Sequence, residues 1–271
     1  MSDLGDIPPL WLALFGIAVG AVIGSFINVL ISRGPVLWGL VENENGGPKR
    51  GLAFPPSACE ACGKRLKPFE LIPILSFLAL RGKCRYCGAP IGIRHLIIEI
   101  AGALIGAGCL IAFGPSLEAL VNAFFLFILI ALATIDAETG YLPDALVLPL
   151  LAAGWLVAAA GLGPPFLNAL IGTVLGGGGL WLIAKGYWLW RRRDGLGGGD
   201  IKLVAAAGAW LGPFALPYVM LAASLSALVF VSLQMLLGKR EADLSTALRF
   251  GPFLAGALAL VKLLPFPAGL V

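Results

Sequence analysis

Eight apolar runs, separated by turn residues and by one long polar insertion, fill most of this 271-residue chain and constrain its fold more than any other feature. They lie at about 9–32, 92–113, 117–135, 142–161, 166–190, 201–212, 214–237 and 249–264. A helix needs roughly 20 apolar residues to cross a bilayer core of about 30 Å, and most of these runs are long enough. The breaks carry turn chemistry at Gly114-Pro115, Gly161 through Pro165 and Gly212-Pro213. Only 13% of the residues are charged and 59% are hydrophobic, against about 25% charged in soluble domains. That composition excludes a soluble globular enzyme and a disordered chain alike. The expected fold class is an all-α polytopic membrane protein of about eight transmembrane helices, with a small cytoplasmic domain between the first two.

The cations set the expected orientation. Ten of the nineteen Lys and Arg lie between Arg33 and Arg94, five between Lys185 and Lys202, and three between Lys239 and Arg249, with Lys262 the last. Positive residues stay on the cytoplasmic side, so the connectors at 33–91, 191–199 and 238–248 face the cytoplasm and both termini face outward. Topology thereby accounts for the basic excess without nucleic acid. Asp3 and Asp6 with no cation before Arg33 make a poor signal-peptide start, and the first run is expected to be a retained helix. The sixth run, at 201–212, reaches only about 18 Å as a helix. It is kept as a crossing because otherwise Lys239 and Arg240 would fall on the outer face. No internal repeat is visible.

The insertion at 33–91 holds four of the five cysteines. Cys59-x-x-Cys62 and Cys84-x-x-Cys87 stand 21 residues apart, each followed directly by glycine. This double C-x-x-C suits a closed tetrahedral zinc site of structural type, with no open position for a substrate. Two disulfides or four free thiols are the alternatives, and a cytoplasmic location argues against disulfides. Cys109, inside an apolar run, reads as a small buried hydrophobe.

Acidic residues at a membrane boundary are few and informative. Asp136 ends the third run, and Asp200 closes Gly195-Leu196-Gly197-Gly198-Gly199-Asp200 and opens the sixth. By topology both sit at cytoplasmic helix ends. Two adjacent carboxylates share a proton, which gives an acid and a base for metal-free peptide hydrolysis. Helix capping, or pairing with Arg191, Arg192 or Arg193, would explain the same positions. Asp144, after Leu142-Pro143, reads as a helix-start residue. The only histidine is His95, so a Ser-His-Asp set is excluded.

Taken in order, these residues resemble the type IV prepilin peptidase family over nearly the whole chain. The resemblance runs from Gly24-Ser25-Phe26-Ile27-Asn28-Val29 and Arg33 through Pro56-x-x-Cys59-x-x-Cys62, Ile72 to Ser76, Leu80 to Cys84 and Arg94 to Glu99. It ends with Asp136-x-x-x-x-Tyr141-Leu142-Pro143-Asp144 and Gly197-x-Gly199-Asp200-x-Lys202. The resemblance implies a GxGD-type aspartic protease with Asp136 and Asp200 as its catalytic pair. It implies cleavage of the basic leader of prepilins or type II secretion pseudopilins after a glycine, at the cytoplasmic face of the bacterial inner membrane. Methylation of the new N-terminus with S-adenosylmethionine follows, both activities being expected of members with the four cysteines. Gly82 and Lys83 are the candidates for the methyl-transfer half. The implied organisation is a first helix at 1–32, a zinc-binding, methyltransferase-associated domain at 33–91 and a membrane peptidase domain at 92–271. Two departures fall in or beside the insertion: His95 stands where tyrosine is usual, and Glu70-Leu71 replaces an asparagine-containing approach to Ile72-Pro73.

Two other readings compete. One is a peptidase without methylation. The other is a zinc-stabilised membrane scaffold or proton-carrying transporter, but such carriers place carboxylates near the midplane and often show inverted repeats. Here the acids cluster at one face.

Overall fold

The computed structural model describes residues 8–42, 51–193, 195–238 and 248–264. Asp3, Asp6, Lys239 and Arg240, which entered the orientation argument, lie outside the described residues. Helices occupy all eight expected runs. Five of them are long and apolar enough to cross a membrane: Pro9–Leu37, Ile93–Phe113, Leu117–Thr139, Phe166–Arg191 and Leu216–Leu236. Asp144–Ala159 and Gly251–Leu263 are shorter apolar helices. The chain divides into two compact units, Met1–Phe127 and Ile128–Val271.

In the first unit, α1 (Pro9–Leu37) packs along α3 (Ile93–Phe113). Glycines four apart make this possible, as small residues do where apolar packing against lipid gives no net drive. A Cβ on Gly20 would stand 2.1 Å from the Gly102 carbonyl oxygen, and one on Gly16 2.5 Å from that of Gly106. Between these helices lie the short α2 (Leu75–Ala79) and the cysteine region. Side chains of α1 and α3 hold that region at several points. Arg33 donates to the carbonyls of Gly51 and Pro55 at 2.9 and 2.8 Å. Glu99 accepts from the Ile74 amide at 2.7 Å. The buried Asn28 ties α1 to α3 by donating to the His95 carbonyl at 3.0 Å. His95 itself lies in the first turn of α3.

The second unit begins within α4 (Leu117–Thr139) and continues with α5 (Asp144–Ala159). Next, α6 (Phe166–Thr173) passes through a π-helical turn at Val174–Gly178 into α7 (Gly179–Arg191), one continuous rod. Then come α8 (Gly198–Leu211), α9 (Leu216–Leu236) and α10 (Gly251–Leu263). The short sixth run is α8, whose fourteen residues span about 21 Å. Every residue from Leu203 to Leu211 is buried, so its neighbours are protein. Gly172 and Gly208 cross with almost no space between backbones, since a Cβ on Gly208 would stand 2.1 Å from the Gly172 carbonyl oxygen. The glycine-rich π turn continues this approach: a Cβ on Gly176 would meet the Val204 carbonyl oxygen at 2.7 Å. On another side Gly154 leaves room for the Trp210 indole, which donates to the Leu150 carbonyl at 2.8 Å.

Candidate functional site

Two clusters carry chemistry, one in each unit. In the first, the sulfurs of Cys59, Cys62, Cys84 and Cys87 all lie within 4.8 Å of one another. The turns that present them are alike. The Cys59 amide donates to Lys64 and the Gly63 amide to Cys59, while Ala58 bridges Arg65. At the same offsets the Cys84 amide donates to Ala89 and the Gly88 amide to Cys84, while Lys83 bridges Pro90. Gly63 and Gly88 take φ of +68° and +71°, which explains the glycine after each pair. Beyond the C-x-x-C and its glycine the two turns share no residues, so the rest of the backbone repeat is visible only in the structure.

The donor set suits a metal. A tetrahedral ion with metal–sulfur bonds near 2.3 Å sets its sulfurs about 3.8 Å apart, and the Cys59 and Cys87 sulfurs are 3.8 Å apart. All five cysteines are free thiols. Backbone amides of Cys87 and Tyr86 aimed at the Cys84 sulfur bring that thiol down to about 7. At Cys87 the Ala89 amide pulls the same way, but burial and the neighbouring thiols outweigh it and leave the thiol at about 11. Four thiols this close cannot all ionise unless a cation balances them.

Gly82 and Lys83 lead into the second turn. Gly82 has φ +67°, and a Cβ there would press on the Phe77 ring at 3.0 Å. Its carbonyl accepts from the Ile91 amide at 2.7 Å. Conformation and packing thus explain the glycine at this position. The Lys83 side chain is exposed.

The second cluster joins four segments. Asp136, in the last turn of α4, is 5% exposed. Asp200, in the first turn of α8, is half-buried, and the two carboxylates are close enough for the charge of Asp136 to act on Asp200. The connector from α4 to α5 packs against the head of α8, where a Cβ on Gly199 would meet that of Leu142 at 2.8 Å. Asp144 opens α5 and grips Lys202 of α8 through both carboxylate oxygens at 2.6 and 2.8 Å. Its helix-start position agrees with the sequence expectation.

Sequence reasoning missed the fourth segment. The buried Gly251 amide donates to Asp136 Oδ2 at 3.1 Å, and Arg249 donates to the Ala137 carbonyl. The visible signal was Arg249-Phe250-Gly251-Pro252 opening the last run, with proline in a helix's first turn. That pattern marks a helix start and says nothing of what the start touches.

A family model described as the bacterial peptidase A24 N-terminal domain matches residues 18–113, and one described as the type IV leader peptidase family matches residues 123–232. Three relatives, each named prepilin leader peptidase/N-methyltransferase, are similar over most of the chain. That of Burkholderia pseudomallei (strain K96243) is 42% identical over 93% of this chain and 86% of its own length. That of Dickeya chrysanthemi is 39% identical over 94% and 93%, and that of Pseudomonas aeruginosa 38% over 91% and 88%. No solved structure matches the chain.

Proposed function

The chain belongs to the type IV leader peptidase family, and from that membership we propose that it is a bifunctional prepilin leader peptidase and N-methyltransferase. It removes the basic leader of type IV prepilins or type II secretion pseudopilins at the cytoplasmic face of the bacterial inner membrane. It then methylates the new N-terminal residue with S-adenosylmethionine. The observation that carries the peptidase half is the approach of Asp136 and Asp200 from two helices, near enough for the charge of Asp136 to bear on Asp200. Such a pair holds one proton between two carboxylates at neutral pH. The ionised member takes a proton from water as the water oxygen attacks the scissile carbonyl carbon. The protonated member gives its proton to the carbonyl oxygen, and the reverse transfers release the amine and the acid.

The membrane arrangement follows the same reading. Eight helices cross, both termini face outward, and α8 passes through a sheath of protein rather than lipid. The aspartates then sit at the cytoplasmic interface, where a substrate with a basic leader and an apolar helix presents its junction. The 33–91 domain carries structural zinc on Cys59, Cys62, Cys84 and Cys87 and serves methyl transfer, while 92–271 forms the peptidase. Zinc, when bound, stabilises a domain too small to hold itself by burial alone. Lys83, exposed beside Cys84, offers an ammonium to a carboxylate such as that of the methyl donor. The turn at Gly82 sets its position.

Mass spectrometry of a model prepilin after incubation with the purified protein, with and without S-adenosylmethionine, tests both halves. The expected product lacks the leader in both samples and carries one methyl group only in the second. Cleavage without methylation would leave a simple peptidase, and an intact substrate would refute the proposal.

A further inference from the structure

The lead-in to α10 reaches the end of α4 at two points. The Gly251 amide donates to Asp136 Oδ2, and the exposed Arg249 guanidinium donates to the Ala137 carbonyl, one residue further on. The same guanidinium lies beside Gly140, 3.7 Å from where a Cβ would stand, so a cation stands next to the end of α4 that carries Asp136. Among the described residues, no comparable donor serves the Asp200 carboxylate. Its own loop lies against it, where a Cβ on Gly197 would stand 3.1 Å from Oδ2.

We infer that the first turn of α10 divides the labour of the pair, with Gly251 and Arg249 as positioning residues that make Asp136 the ionised base and Asp200 the protonated acid. An amide donor, a nearby cation and the positive end of a helix all favour a charged carboxylate. Asp136 has the amide and the cation to itself, while a helix start serves both aspartates, that of α10 for Asp136 and that of α8 for Asp200. Asp200 faces that negative charge, and holding the proton removes the repulsion. Asp136 Oδ1, opposite the oxygen fixed by Gly251, is then the atom that takes the proton from water. The water oxygen bonds to the carbonyl carbon while Asp200 protonates the carbonyl oxygen. On collapse the C–N bond breaks, Asp136 returns its proton to the leaving nitrogen, and a hydroxyl of the tetrahedral intermediate returns one to Asp200. Both carboxyls end as they began. This rests on the proposed aspartate dyad. A purely structural reading, in which Asp136 merely caps α10, predicts lost stability with no specific effect on chemistry.

The test uses the full-length protein in lipid, a model prepilin, and a pre-cleaved peptide for methylation. In Gly251→Ala the new Cβ would stand 2.6 Å from Asp136 Oδ2, and the carboxylate must move. We expect kcat for cleavage to fall roughly 100-fold, as a misplacement of about 1 Å does, with KM little changed and methylation of the pre-cleaved peptide retained. Arg249→Gln removes the cation, so Asp136 accepts protons at higher pH and the acidic limb of the rate profile moves upward; Arg249→Lys restores it. The charged groups around this limb include Arg249 before α10, Asp200 of α8, Glu138 in the last turn of α4, and the Asp144–Lys202 pair between α5 and α8. Wild-type kcat in Gly251→Ala overturns the inference. So does an unmoved acidic limb in Arg249→Gln, or a shift confined to the alkaline limb. If Gly251→Ala loses both activities through misfolding, the Arg249 variants decide. Retained cleavage in Asp136→Asn would instead sink the dyad itself.

Discussion

The four cysteines come from two four-residue stretches, whereas Asp136 and the amide that holds it are 115 residues apart. The cysteine turns are closed by their own backbone bonds, repeated at the same offsets in both. The aspartate cluster has no local frame of this kind. It exists only because α4, α5, α8 and α10 pack as they do. A locally framed site can lose its metal while the helices around it persist. A site assembled by packing tolerates exposed changes but not shifts in the helices that carry it.

The largest effect that sharpens this contrast belongs to the aspartates. Asp136→Asn or Asp200→Asn should each lower cleavage by roughly 10³-fold or more, since on the proposed mechanism either removes half of an acid–base couple. Methylation of a pre-cleaved peptide, measured in parallel, should survive both. Cleavage above a tenth of wild type in either mutant would remove that residue from the chemistry.

Next comes the metal. Purified protein should carry about one zinc per chain, and Cys84→Ser with Cys87→Ser should abolish it. Limited proteolysis should then cut within 51–91 and leave the helices after residue 92 intact. If the zinc-free double mutant resists protease like the parent, the local frame stands without metal and the contrast is overdrawn.

How far the sequence foretold each region follows from the same difference. Hydropathy marked the eight apolar runs that the described helices occupy, because each run needs only its own residues to be apolar. The cysteine site was legible down to Gly63 and Gly88, for its spacing is its geometry. Asp136 and Asp200 stood out as acids at the ends of apolar runs. Gly251 did not, because its contribution is a backbone amide, and an amide leaves no mark in the residue type. Nor did the crossing of Gly172 with Gly208, where the informative property is the absence of a Cβ beside a helix remote in sequence. The shortness of α8 looked like a weak span and is explained by its burial among other helices.

That crossing supplies the third prediction. In Gly208→Val the branched side chain has nowhere to go, and overpacking of this kind costs about 1–3 kcal/mol. Thermal unfolding in detergent should show the loss. Cleavage should fall with it, because α8 carries Asp200 on its first turn. The matching change in the first unit, Gly20→Val, should destabilise the α1–α3 pair by a similar amount. Unchanged stability in both would mean that the helices do not approach as closely as their glycines allow.

The smallest effect should come from the ion pair nearest the aspartates. Lys202 and Asp144 hold each other bidentately, yet their side chains are 46% and 54% exposed. An exposed pair of this kind contributes at most about 1 kcal/mol, and salt screens it further. The pair does join α5 to α8 two residues beyond Asp200, so two outcomes separate cleanly. If it only fastens helices already held by the Leu142–Gly199 contact, Lys202→Gln should lower cleavage a few-fold at most. The loss should shrink in the wild-type comparison at high salt, where the pair is already weakened. The reversed pair, Asp144→Lys with Lys202→Asp, should recover part of it. If instead Lys202→Gln is as damaging as Asp200→Asn and reversal restores nothing, Lys202 acts on the reacting groups. The cluster assembled by packing would then include a residue whose part is played by charge.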